Sequence, residues 1–122
     1  MIGSALDQLA QGLGFEDFRW ADRDGRAVFA FERRGTLYLE AHGDGLLMSL
    51  SRPFDDRENG RERLCRALRL CHYRHDWPCA VQVGLGDGSN LLFLARLPAA
   101  EVTLPVLEQT LELLTRLHER TG

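Results

Sequence analysis

The stretch from Gly35 to Arg52, GTLYLEAHGDGLLMSLSR, does most to restrict how this chain can fold. In its first arm Leu37, Leu39 and Ala41 alternate with Thr36, Tyr38 and Glu40; in its second, Leu46, Met48 and Leu50 alternate with Leu47, Ser49 and Ser51. A period of two belongs to half-buried strands, whose side chains point to opposite faces in turn. Between the arms lies His42-Gly43-Asp44-Gly45, whose glycines suit the positive backbone angles of a tight hairpin turn. A hairpin with an apolar face has to be covered, and the rest of the chain must supply the cover.

Strands and helices alternate around that hairpin. Ile2, Leu6, Leu9 and Leu13 fall at helical spacing, with Gly12 and Gly14 as stop signals. Phe15, Phe18 and Trp20 form an aromatic connector, Asp22-Arg23-Asp24-Gly25 a turn, and Arg26 to Glu32 a strand with Ala27, Phe29 and Phe31 on one face and Val28 and Ala30 on the other, both faces expected to be at least partly covered. With the hairpin this makes three consecutive strands, an antiparallel meander that Pro53 ends because it has no amide hydrogen to donate.

A second helix is predicted from Arg61 to His75, with Leu64, Ala67, Leu68, Cys71 and His75 as a narrow apolar stripe and Asn59 with Glu62 as its capping pair. Trp77-Pro78 breaks it. Val81, Val83 and Leu85 alternate in a fourth strand, and a glycine-rich loop leads to a fifth from Asn90 to Leu97, apolar on both faces. Thr103 is placed to cap a last helix with Pro105 in its first turn, and Leu104, Leu107, Leu111, Leu114 and His118 form its seam, widened by Val106, Leu113 and Leu117. The expected fold is α+β, one domain over residues 1–122, in the order α-β-β-β-α-β-β-α, with a twisted antiparallel sheet packed by helices.

Composition narrows the function classes. The 122 residues suffice for one core, and no apolar run approaches the ~20 residues of a membrane span. The net charge is -3, all fifteen basic residues are arginines interspersed with eighteen acids, and this lends no support to nucleic-acid binding. An odd number of cysteines (Cys65, Cys71 and Cys79), and an N-terminus without a basic region followed by an apolar run, lead us to expect a reducing, cytoplasmic setting.

Catalytic patterns are missing from the sequence. None of Ser4, Ser49, Ser51 and Ser89 sits in a strand-to-helix nucleophile elbow, and the Gly84 to Asn90 loop leads into a strand rather than the helix a phosphate loop requires. Cys71, His75 and Cys79 have partial metal-ligand spacing but no paired Cys-x-x-Cys, so a small metal- or ligand-binding α+β protein is the alternative reading. What stands out instead is apolar surface beyond what one core needs, the mark of protein association.

The phrases GTLYLEAHG (35–43), LLMSLSR (46–52) and VTLPVLEQTLELLTRLHE (102–119), with the order of elements, resemble the class I chaperones of bacterial type III secretion, in particular their SycN-like branch. That resemblance implies no catalytic residues, no cofactor and no metal. It implies dimerisation through the second helix and fourth strand, here Leu64, Leu68, Cys71, His75, Val81 and Val83. It also implies that an extended N-terminal segment of a secreted gatekeeper or effector wraps the dimer, with Leu6, Leu9, Leu13, Phe15, Leu37 and Leu39 as docking candidates. A SycN-like subunit would pair with a second small class I chaperone, a homodimer being the other arrangement. The arginines at 66, 69 and 74 favour an acidic, different partner, since a twofold axis would set like charges against each other.

Overall fold

The first helix, α1 (Ile2–Gly12), ends where a glycine lets the chain turn left-handed. Gly14 takes φ 99°, and the amides of Gly14 and Phe15 return to the carbonyls of Gln11 and Ala10 at 3.1 and 2.9 Å, so the last turn's carbonyls are satisfied before the chain leaves. In this computed structural model residues 2–54, 60–72, 81–86 and 90–121 are described. They form the strands β1 (Arg26–Phe31), β2 (Gly35–His42), β3 (Gly45–Pro53), β4 (Val81–Leu85) and β5 (Asn90–Leu97), and, besides α1, the helices α2 (Gly60–His72) and α3 (Leu104–Thr121). The helix-strand order is the one expected. Asn59, His75 and the Trp77-Pro78 break lie outside the described residues.

All pairings are antiparallel, in the order β1-β2-β3-β5-β4. The register places Leu37 opposite Leu50 and Leu39 opposite Met48, then Leu50 opposite Phe93 and Met48 opposite Ala95. One face of the sheet is thereby a continuous apolar surface, and the helices pack on it: Leu6, Leu9 and Ala10 of α1, Ala67 and Leu70 of α2, and Leu107, Leu111, Leu113, Leu114 and Leu117 of α3 join it in a single core. α3 dominates because its apolar stripe is wide enough to meet the sheet and both other helices. Thr103 caps it as expected, its Oγ1 accepting from the Val106 amide at 3.5 Å.

The turn joining β2 and β3 is tighter in its demands than the sequence implies. Of its two glycines Gly43 adopts a positive φ, 59°, and Gly45 does not. Gly45 is required for a different reason: a Cβ there would collide with the Leu97 carbonyl at the end of β5.

Among the described residues no helix packs on the opposite face of the sheet. In register across it run Val28, Tyr38, Ser49, Leu94 and Gln82, of which Val28 is 59% and Tyr38 42% exposed. This overturns the expectation that both faces of β1 are covered: Ala27 and Phe29 are buried, Val28 and Ala30 are in solvent. All helices sit on one side, so residues of the second set have no described layer above them.

Candidate protein-binding surfaces

Two ionisable side chains have their chemistry set by burial. His118, in α3, donates from Nε2 to the Leu50 carbonyl at 2.7 Å and meets the Phe93 ring edge-on. Desolvation pushes its pKa down to about 4, with a smaller push from the Arg52 charge and the Leu50 bond working the other way, so the ring is neutral at physiological pH. Burial likewise pushes the Cys71 thiol up to about 11, which keeps it protonated and a poor nucleophile or ligand. Among the described residues no three His, Cys, Asp or Glu side chains lie close enough together to hold a metal ion. Of the alternative metal set, His75 and Cys79 lie outside the described residues.

The expected dimer residues are placed unevenly. Leu68 projects from α2, 50% exposed, while Leu64, Cys71 and Val83 are half-buried against the core and Val81 is buried. Of the predicted stripe, Leu64, Ala67 and Cys71 do face the core, Leu70 joins them, and Leu68 faces away. Arg61, Arg66 and Arg69 of α2 are exposed as well, Arg66 donating to the Thr121 carbonyl at 2.9 Å and so tying α2 to the end of α3.

The docking candidates require a correction. Leu6, Leu9, Leu37 and Leu39 are in the core, between α1, α3 and the sheet, and offer no surface to another chain. Their alternation identified an apolar face, but that face is consumed by the protein's own helices. Leu13 and Phe15 are half-buried, Phe15 packing on Phe29 at 4.8 Å between ring centroids. The sequence reading missed Val28 and Tyr38, which are exposed on the open face; the polar neighbours Ser49 and Ser51 in the facing strand were the available signal.

Two grooves lie near α1. One runs beside β1, lined by Phe15, Phe18, Val28 and Phe29 together with Glu16, Asp17 and Arg23, and among the described residues β1 has a sheet neighbour only in β2. The other, of about 940 Å³, lies between the outer side of α1, Trp20 and the β2–β3 turn. Asp7 shapes it: its Oδ1 accepts the Trp20 backbone N–H at 2.7 Å and fixes the short 3-10 turn Trp20–Asp22 against the helix.

A five-stranded antiparallel sheet with three helices packed on one face is the fold of type III secretion chaperones. It superposes on the Yersinia pestis chaperone SycH, solved in complex with a stable fragment of YscM2, with a TM-score of 0.72 at 15% identity over 98% of this chain and 99% of that one. The ExoU–SpcU complex of the Pseudomonas aeruginosa type III secretion system gives 0.71 at 16% identity, over 99% and 94% of the two chains. The HopA1–SchA chaperone–effector complex gives 0.65 at 17% identity, over 97% and 91%. No curated protein matches the chain in sequence. Residues 1–121 match the model of the type III secretory system chaperone SycN, and the chain belongs to that family.

Proposed function

We propose that this type III secretion chaperone is one subunit of a cytoplasmic pair that holds an N-terminal segment of a secreted gatekeeper or effector in extended form. The observation that carries the reading is the pattern of what the fold leaves uncovered: one edge strand beside an aromatic groove, and one arginine-rich helix with an exposed leucine. A segment added at β1 gains main-chain hydrogen bonds with little demand on its sequence, while Val28 and the Phe15–Phe18 groove supply side-chain pockets. Such a segment cannot fold or aggregate while bound. Binding supplies the free energy, so no catalysis is required, and we propose that the chain is not an enzyme.

The second subunit docks on α2. Four arginines against the single acid Glu62 on that helix would repel a twofold copy of themselves, and an acidic, different chaperone meets them with opposite charge. In solved relatives the bound molecules are a YscM2 fragment, ExoU and HopA1; for this chain the client and partner are to be identified by mass spectrometry of what co-purifies from the native secreting cell. A second small acidic protein together with a larger secreted one is the expected result. A lone, stable homodimer that a co-expressed small chaperone leaves intact would remove the heterodimer.

A further inference from the structure

The α1 groove, of about 940 Å³, is lined by apolar residues, by the neutral polar Ser4, Gln8 and Gln11, and by two carboxylates. Ile2, Trp20, Ala21 and Ala99 contribute apolar surface. Trp20 is held there from two sides: the Asp7 carboxylate accepts its backbone N–H, and Gly3 leaves room for the indole, which would lie 3.4 Å from a Cβ at that position. The ionisable side chains lining the groove are Asp7 and Asp44, both acidic. Asp44 sits exposed at the tip of the β2–β3 turn, and the chain from Ile2 to Gly25 carries five carboxylates against Arg19 and Arg23. Apolar surface rimmed by negative charge discriminates by charge as well as by size.

Building on the client-holding reading above, we infer that this groove selects a client segment in which an apolar side chain is flanked by arginine or lysine. The apolar residue covers Trp20 and Ala99, and the cation lies against Asp44 at the rim. An exposed ion pair of this kind gives a preference of about three- to fivefold, and reversal of the rim charge removes the attraction and adds repulsion. A second copy of this chain is the competing occupant, since its own Leu68 has arginines beside it. That contact would be head-to-tail and would propagate instead of closing.

The test uses the purified chain, with whatever partner subunit accompanies it, and a fluorescein-labelled Gly/Ser peptide bearing a central Arg-Leu-Leu-Arg. Anisotropy should report binding of this peptide, with Glu-Leu-Leu-Glu and Arg-Ser-Ser-Arg counterparts weaker by about three- to tenfold. Asp44→Arg should invert the preference between the basic and acidic peptides. Gln8→Arg, which pushes a long cation into the groove from the exposed side of α1, should abolish binding while leaving the melting temperature unchanged. Equal binding of the three peptides, or indifference to both substitutions, overturns the inference. So does self-association that Gln8→Arg abolishes in a protein that binds no peptide. Capture of a secreted client equally by the wild type and Asp44→Arg overturns the groove's selectivity and leaves the chaperone reading intact; charge-selective peptide binding without any secreted client co-purifying supports the groove and removes that reading.

Discussion

α2 and α3 are both amphipathic, leucine-bearing helices packed on the same sheet face, yet they put those leucines to different use. α3 buries Leu107, Leu111, Leu113, Leu114 and Leu117 completely or nearly so, and even its threonines are turned inward, with Thr110, Thr115 and Thr121 each donating to the carbonyl one turn back. α2 buries Ala67 and Leu70 and leaves Leu68 half in solvent on an arginine-rich helix. The difference separates a helix that makes the fold from one that presents a surface. Stability should therefore reside in α3 and association in α2, and substitutions can separate the two.

The largest effect is expected at the centre of α3. Leu114 is fully buried, so Leu114→Ala removes its transfer free energy and leaves a cavity, costing about 2 to 5 kcal/mol. Urea denaturation followed by circular dichroism measures this; a cost no greater than that of an exposed-site substitution would break the comparison. Next comes acid. The folded pKa of His118 lies below the unfolded value of 6.5, so between about 4 and 6.5 the unfolded chain binds more protons and is favoured. The contribution of the neutral ring is present in full above pH 6.5, declines as pH falls, and is gone below about 4, a total of about 3 kcal/mol. Midpoints measured from pH 7 to pH 4 should fall accordingly, and more shallowly in His118→Gln. A smaller loss, about 0.5 to 1 kcal/mol, is expected for Thr103→Ala, because its capping bond is long.

How far the sequence revealed these roles depended on how many solutions each pattern allowed. The α3 seam and the β2–β3 hairpin were legible because long runs kept one period, and Thr103 and Gly43 marked their boundaries as expected. In β2 the alternation separated Leu37 and Leu39 from Tyr38 correctly, but periodicity cannot tell which face the protein's own helices cover. Leucines look equally suited to a core and to a client, and the core took them. β1 was ambiguous for a related reason, since Val28 and Ala30 are apolar although they face solvent. In α2, leucines at 64, 68 and 70 admit two inward stripes; the choice of Ala67 with Leu70 depends on where α3 lies, a tertiary fact absent from the local spacing. The α1 groove was illegible altogether, because Asp7, Trp20, Asp44 and Ala99 come from four separate parts of the chain.

The smallest expected change in stability carries the sharpest test of the comparison. Leu68→Glu alters a half-exposed position on α2 whose neighbours in the core, Ala67 and Leu70, are left in place. Glutamate is nearly as good a helix former as leucine, and the helix it joins carries four arginines against one acid, so the folding free energy should move by no more than about 0.5 kcal/mol. Its effect on pairing should be far larger. A buried carboxylate facing an acidic partner subunit loses apolar contact and gains repulsion, so the sedimentation profile should shift from the pair to the single subunit. If Leu68→Glu instead unfolds the chain as readily as Leu114→Ala, α2 belongs to the core as α3 does, and the division between the two helices fails. If it leaves both fold and pairing untouched, the partner docks elsewhere and the exposed leucine is only surface.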